Sequence, residues 1–394
     1  MIHYRYLIIG GGMTADAAVR GIRAVDPQGS IGLISAELYP PYKRPPLSKG
    51  LWLGKPFEKL WYRTEEFQVK LHLGRTVQAL NLSEKSVVDD LGVAYRFDKL
   101  LLATGGTPVR LPFGEEDVLY FRDFSDYLKL RALAEKKQRF AVIGGGFIGS
   151  EIAAALAMNG KRVTMLFPEE GISARLFPKD LSQFLNEYYS QKGVEVLPGR
   201  SVTGIAKQKE LLLLTAKSQG GAEEHLEAEA VVAGIGIRPN TALAEQAGLP
   251  VEDGIVVDEY LNAGHPDVYA AGDVARFYNP SLDAKIRVEH EDNARTMGEI
   301  AGRNMAGERH SYHHLPYFYS DLFELGYEAV GHTDARLVTV ADWTEPYKKG
   351  VVYYLENQRV RGVLLWNVWE KVEAARGLIA QPGPFQPQDL KGRL

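Results

Sequence analysis

Short, mainly apolar runs, each leading into glycine, organise the first three hundred positions of the chain. Tyr4–Ile9 runs into Gly10-Gly-Gly12, and Phe140–Ile143 runs into Gly144-Gly-Gly146. Phe97–Leu102, Val231–Ala233 and Val268–Ala271 end the same way, at Gly105, Gly234–Gly236 and Gly272. Runs of this length with no alternation read as strands buried on both faces. Two are followed at once by helical spacing, over Asp16–Val25 and over the Ala-rich Ser150–Met158. Pro27 and Gly29 break the first helix, and Ser30–Glu37 is the next strand. Val163–Glu170 follows the second helix in the same way. From about Leu315 the pattern changes to alternation. Leu337–Ala341, Gly350–Glu356 and Val360–Trp366 predict an antiparallel sheet, and Val368–Arg376 predicts a helix behind it. The tail has three prolines between Gln381 and Gln388 and reads as irregular. Asp273 is expected at the mouth of a helix after its strand.

The two strand–turn–helix units carry dinucleotide fingerprints. Gly144-x-Gly146-x-x-Gly149 has a glycine for the tight turn, one for backbone approach to a diphosphate, and one for helix–strand packing. Gly10-x-Gly12-x-x-Ala15 is the same device with alanine in the third place. Each helix start would offer backbone N–H groups and a positive dipole end to phosphate. Glu37 lies 22 residues past Ala15, and Glu169 lies 20 past Gly149. Both fit the carboxylate that holds an adenosine ribose. Two such sites in one chain imply one tightly held dinucleotide and one that exchanges, a flavin passing electrons with a nicotinamide.

The order of segments places one nucleotide fold inside the other. The chain leaves the first near Pro108, completes the second, and returns near Pro239. The expected domains are 1–110 with 238–312 for FAD, 111–237 for NAD, and 313–394 at the C-terminus.

Composition removes alternatives. At 394 residues, 45% apolar and 24% charged, the chain suits a globular protein of two or three domains. A net charge of −4 gives no general attraction to nucleic acid or to a membrane surface. No apolar run spans a bilayer, and the N-terminal run enters a glycine turn instead of a cleavage site, so the expected location is cytoplasmic. The chain has no cysteine. A redox disulfide, a thiolate nucleophile and a cysteine-ligated iron–sulfur cluster are therefore excluded within it. His313 and His314 lack the carboxylate–histidine spacing of a metal site, and no metal is expected.

Between the strands, Tyr39-Pro-Pro-Tyr-Lys-Arg44-Pro-Pro-Leu-Ser-Lys49 is stiffened by four prolines, which present Arg44 and Lys49 from a rigid backbone. His290 reads as a positioning residue, because hydride transfer between cofactors needs no general acid.

Taken together, Gly-x-Gly-x-x-Ala, Arg-Pro-Pro-Leu-Ser-Lys, Ala-Thr-Gly-Gly-Thr-Pro, Gly-Gly-Gly-Phe-Ile-Gly-Ser-Glu, Ala-Gly-Asp and Val-Glu-His resemble the FAD-dependent ferredoxin-reductase family. Leu-Phe-Pro-Glu-Glu-Gly, Tyr-Ser-Asp-Leu with Gly-Tyr-Glu-Ala-Val-Gly, and Lys-Gly-Val-Val-Tyr-Tyr-Leu with Leu-Leu-Trp-Asn point to its apoptosis-inducing-factor branch. The likeness runs from Tyr6 to about Ala380. It implies an α/β, glutathione-reductase-like fold: two Rossmann-like domains, the second inserted in the first, and an α+β C-terminal domain. It also implies site roles. Gly10, Gly12, Ala15 and Glu37 would hold the AMP half of FAD. Arg44, Lys49, Val77, Thr104, Gly105, Arg122, Gly272 and Asp273 would line the rest of that cofactor's cleft. Gly144, Gly146, Ile148, Gly149, Glu169 and Gly236 would bind NADH, with Phe147 and Glu151 flanking the nicotinamide. Glu289 and His290 would lie beside both rings, and Tyr319 would cap the flavin where the family usually has tryptophan. A charge-paired hydrogen bond is expected between Lys49 and Glu151, which are expected on different domains.

The implied activity is hydride transfer from NADH to flavin N5, then single electrons to a ferredoxin- or rubredoxin-type carrier or a quinone. The rival is an NADH-responsive scaffold with slow turnover, whose reduced charge-transfer state controls oligomer or partner contacts. The chain is expected to act as a monomer or homodimer. The loop Ala341–Gly350 is too short for the branch's long C-terminal insertion, so an apoptotic role and DNA binding are not carried over.

Overall fold

The structure is a computed structural model, describing residues 2–114 and 116–394. Its residues group into two compact units. One comprises the chain through Arg44, Pro56–Thr107 and Arg238–Phe318; the other comprises Pro45–Lys55, Pro108–Ile237 and Tyr319–Leu394.

In the first unit, the strands Val268–Ala270, Ala94–Leu102, Ile2–Ile9, Ile31–Ser35 and Val69–Leu73 lie side by side in that order, all parallel. Ile9 is level with both Ile34 and Leu102, and Leu102 with Ala270. The turns that follow these strands therefore leave one edge of the sheet, where a nucleotide fold binds its ligand. Leu7, Ile8, Leu33, Leu100 and Leu101 are fully buried, as the unalternating runs require. The helices Met13–Val25 and Glu291–Met305 cross in intimate contact. A Cβ on Gly298 would lie 2.4 Å from the Thr14 carbonyl oxygen, and one on Gly302 2.1 Å from that of Ala18. Only glycine permits this approach. Where the chain re-enters this unit, Asn240 fastens it: its N–H donates to the Gly105 carbonyl, its amide to the Thr104 carbonyl, and its own carbonyl accepts from the Thr104 hydroxyl.

The second unit repeats the device. Val194–Pro198, Arg162–Phe167, Arg139–Ile143, Ala230–Ala233 and Val118–Tyr120 form a parallel sheet in that order. Ile143 is level with Leu166 and Ala233, so Gly144, Pro168 and Gly234 leave the same edge. An antiparallel trio, Arg200–Gln208, Leu211–Ser218 and Glu223–Ala228, is a feature the apolar pattern had not indicated.

The C-terminal sheet has five strands, two more than alternation reveals: Tyr317–Leu322 and Leu325–Gly331 precede Val338–Glu345, Lys349–Glu356 and Arg359–Trp366. Tyr327, Ala329 and Val330 are buried, so the second strand lacks a polar face to betray it. The helix expected over Val368–Arg376 runs instead from Val372 to Ile379. Asn367 and Glu370 both have positive φ, which delays it. A short helix, Pro387–Leu390, interrupts the tail. Asp273 also departs from expectation: it lies in a single 3-10 turn, Gly272–Val274, that leads into the strand Ala275–Asn279. Among the described residues no helix is long and apolar enough to cross a membrane.

Candidate functional site

In the first unit Gly10 has φ +122°, and a Cβ there would lie 2.1 Å from the Ala103 carbonyl oxygen. This is the tight turn of the fingerprint. Gly12 opens the helix Met13–Val25 with no side chain to cap it, and Ala15 is fully buried against the sheet. Glu37 follows the second strand. Its carboxylate accepts from the Tyr42 hydroxyl at 2.6 Å and pairs with the Arg44 guanidinium. Arg44 passes 3.9 Å from where a Gly12 Cβ would be, so fingerprint, acid and arginine form one cluster.

Thr104 and Gly105 follow the strand Ala94–Leu102, and Gly272 approaches Thr14 so closely that a Cβ would lie 2.2 Å from its hydroxyl oxygen. His290 is the first residue ahead of the helix Glu291–Met305, and its ring stacks on Phe318 with centroids 4.1 Å apart. Desolvation pushes its pKa down to about 4, against opposing pulls from Asp273 and Asp292. It is therefore a neutral imidazole near pH 7. Glu289 is exposed and pairs with Arg287 at 2.5 Å. Val77 opens the strand Val77–Asn81 opposite Asp89, on the margin of the core.

In the second unit Gly144 has φ +112°, with a Cβ position 2.4 Å from the Gly234 carbonyl oxygen. Gly149 touches the Gly144 carbonyl so closely that a Cβ would sit at 2.0 Å. Gly146 is exposed, and a Cβ there would meet nothing within 4 Å. Phe147 and Ile148, half-buried, open the helix Phe147–Met158 behind this uncapped glycine. Gly236 is exposed at the same sheet edge. Glu169 pairs with Arg175 at 2.8 Å. Arg122 precedes the capped helix Phe124–Lys136, and its N–H donates to Asp126.

The expected pair is present. Lys49 Nζ lies 3.2 Å from Glu151 Oε1, and the Glu151 side chain is 1% exposed. Tyr319 joins them, its ring centroid 4.2 Å from Nζ and its carbonyl accepting from Nζ at 3.4 Å; the Phe147 centroid is 5.8 Å away. Burial raises the Glu151 pKa, with Lys49, Ser320 and Ser48 pulling against it.

Lys49 groups with Glu151's own unit, and the reason is Trp52. The indole is 4% exposed and donates to the Leu47 carbonyl. It packs edge-on against Tyr127 and under the Arg131 guanidinium, while Asn159 donates to its carbonyl. The proline run is thus clipped to two helices, so its rigidity comes from an aromatic anchor as well as from its prolines. Ser48, Ser320, Trp52 and Tyr42 were not singled out from sequence. Ser48 and Ser320 stand inside the quoted motifs Arg-Pro-Pro-Leu-Ser-Lys and Tyr-Ser-Asp-Leu, which was the only signal.

Two uncapped helix starts, each behind an open glycine and each sharing a sheet edge with a carboxylate, fit two dinucleotides. Fold and site define a two-nucleotide flavoprotein, an FAD-dependent NAD(P)H oxidoreductase. A family model described as pyridine nucleotide-disulphide oxidoreductase matches residues 4–298, and one described as apoptosis-inducing factor, mitochondrion-associated, C-term matches 301–346 and 341–381. The chain belongs to the pyridine nucleotide-disulphide oxidoreductase family, near the ferredoxin reductases and apoptosis-inducing factors. It is 36% identical over 418 residues to apoptosis-inducing factor 1, mitochondrial, of Dictyostelium discoideum, covering 95% of this chain and 78% of that one. It is 33% identical over 417 residues to monodehydroascorbate reductase 3 of Arabidopsis thaliana, covering 97% and 93%. Among solved structures it resembles the reductase of the covalent putidaredoxin reductase–putidaredoxin complex, with a TM-score of 0.89, 29% identity, and 98% and 95% coverage.

Proposed function

We propose that the protein is an NADH-dependent flavoprotein reductase that delivers electrons to a ferredoxin- or rubredoxin-type carrier, with a quinone or small oxidant as the alternative acceptor. One observation carries this reading: a member of the pyridine nucleotide-disulphide oxidoreductase family that contains no cysteine. Without a thiol pair to relay electrons, they must leave from the flavin itself. FAD, when bound, accepts a hydride and releases electrons one at a time.

The chain's own residues supply binding, orientation and charge. The Gly10–Ala15 turn and the helix behind it would hold the FAD diphosphate, with Glu37 and Arg44 beside it. The Gly144–Gly149 turn would hold NADH, with Glu169 on the adenosine ribose. Lys49 would contribute a fixed ammonium where negative charge accumulates, already oriented before the reaction begins. Neutral His290 positions rings without moving a proton. The similarity to a reductase solved with its putidaredoxin supports a protein carrier as acceptor, and that to monodehydroascorbate reductase supports a small one. The protein is read as cytoplasmic.

A second reading, a redox-responsive binding protein with slow turnover, is favoured by the C-terminal match to apoptosis-inducing factor. Under saturating NADH, a panel of ferredoxins, rubredoxins and quinones is the test. Rapid turnover on one of them supports the reductase. Slow turnover on all, with a change in molecular size on reduction, supports the second reading.

A further inference from the structure

We propose that Ser48 and Ser320 are positioning residues for the reductase reaction: they clamp the two oxygens of Glu151, keep it a carboxylate, and so keep Lys49 charged and aimed. This rests on the reductase reading above.

Glu151 lies in the second turn of the helix Phe147–Met158, shielded from water. Ser48 Oγ donates to its Oε2 at 2.5 Å, and Ser320 Oγ donates to its Oε1 at 2.5 Å. Lys49 Nζ shares Oε1 with Ser320. The two serines come from segments 272 positions apart (320 − 48), and both are buried, at 6% and 1% exposure. Neither hydroxyl is placed there by a need for solubility.

Proton bookkeeping fixes the direction of the network. Ser320 has one hydroxyl hydrogen, which it gives to Glu151. The hydrogen bond between Ser320 and the buried Tyr327 phenol must then be donated by Tyr327. With Glu151 ionised, all of these donors end on a carboxylate oxygen; were Glu151 protonated, the Ser48 hydroxyl would have to turn to the Pro45 carbonyl, 3.5 Å from its Oγ.

A carboxylate with 1% exposure and no donors would take up a proton. The other ionisable groups here do not replace the serines. Tyr189, on the helix Lys179–Gln191, is fully buried and donates to the Ser150 carbonyl at 3.1 Å. Tyr189 and Tyr327 are both held well above the ordinary phenol range by burial and by the Glu151 charge, so both stay neutral. Asp321 is 3.8 Å from Nζ but 58% exposed, a weak partner for a lysine that is 12% exposed. Phe147 offers a ring face, and Tyr319 offers a ring face and a backbone carbonyl that accepts from Nζ at 3.4 Å, neither of which carries a negative charge. If Glu151 becomes neutral, the Lys49 ammonium loses its buried counter-charge, and the free amine becomes more populated at a given pH.

The test reads Lys49 directly. Flavin-loaded parent, Ser48→Ala, Ser320→Ala and the double variant are labelled with trace acetic anhydride across about pH 7 to 10, and acetylation of Lys49 is quantified by mass spectrometry. Thermal unfolding checks that each variant is folded. Each single alanine variant is expected to raise Lys49 reactivity at pH 8 by about threefold or more. Ser48→Thr, which keeps the hydroxyl, is expected to match the parent. NADH-dependent flavin reduction in the alanine variants should fall off at lower pH than in the parent. A smaller rise in both folded single variants overturns the clamp. If NADH fails to reduce the parent's flavin, the reductase reading falls, while labelling of the same preparation still decides whether the serines hold Glu151 and Lys49 charged.

Discussion

The Arg175 guanidinium pairs with the Glu169 carboxylate at 2.8 Å, although Arg175 is otherwise 86% exposed. The acid that would hold an adenosine 2′-hydroxyl thus carries its own neutralising partner. A 2′-phosphate meeting Glu169 costs several kcal/mol when the site is dry, and less where water and Arg175 screen it. The chain is expected to prefer NADH by about a hundredfold in kcat/KM, at about 1.4 kcal/mol per tenfold. Glu169→Ala should narrow the preference by about tenfold and Arg175→Ala should widen it. Equal efficiency with both coenzymes in the parent would remove the role assigned to Glu169.

The contact of Gly298 with Thr14 ties the helix behind His290 to the start of the first fingerprint helix. Gly298→Ala must push the two helices apart, because its Cβ would meet backbone and not a flexible side chain. The expected cost is about 1–3 kcal/mol. It should appear as a lower unfolding midpoint and as less FAD per mole of purified protein. Full flavin content at parental stability would show that the crossing tolerates more than its geometry allows.

His290 makes stability depend on pH on the acid side. Its pKa is about 4 in the folded protein, below the ordinary value of 6.5, so the unfolded chain binds more protons between those limits. Stability from the neutral ring is therefore complete above about pH 6.5 and is lost as pH falls toward 4. His290→Gln should flatten that part of a plot of unfolding free energy against pH, by on the order of 1–3 kcal/mol at the acid end. Superimposable plots for parent and variant would rule the histidine out as the source.

Lys49 and Phe147 should separate under mutation. Lys49→Ala removes the ammonium beside Glu151 and is expected to slow flavin reduction by NADH about a hundredfold or more, with FAD retained. Phe147 is half-buried at the start of its helix, so Phe147→Ala should shift apparent NADH affinity with little loss of folding. Rapid-mixing absorbance and thermal melts distinguish the two. A Phe147→Ala protein that unfolds readily yet binds NADH normally would make the ring a core residue.

Both nucleotide folds were legible because each needs a pattern that little else produces. An apolar run, a glycine turn and a helix occur together at Gly10–Ala15 and at Gly144–Gly149, each followed by a carboxylate at the right distance. The pairing of Lys49 with Glu151 was reachable only through resemblance, since no local spacing connects residues on separate segments. The serines holding Glu151 were hidden for the same reason: a hydroxyl's value depends on what lies across from it. The strand Leu325–Gly331 escaped notice because burial on both faces erases alternation. The late start of the helix Val372–Ile379 was set by Asn367 and Glu370, whose positive φ is not written in hydrophobic periodicity.

Anaerobic rapid mixing of the flavin-loaded protein with NADH, followed in a second mix by oxidised ferredoxin, shows whether electrons taken from NADH leave the flavin for a carrier. Flavin bleaching and recovery are expected at rates on the order of 1–1000 s⁻¹, with recovery dependent on carrier concentration. A protein that bleaches but stays reduced for minutes in the presence of every carrier and quinone tried would contradict the reductase reading.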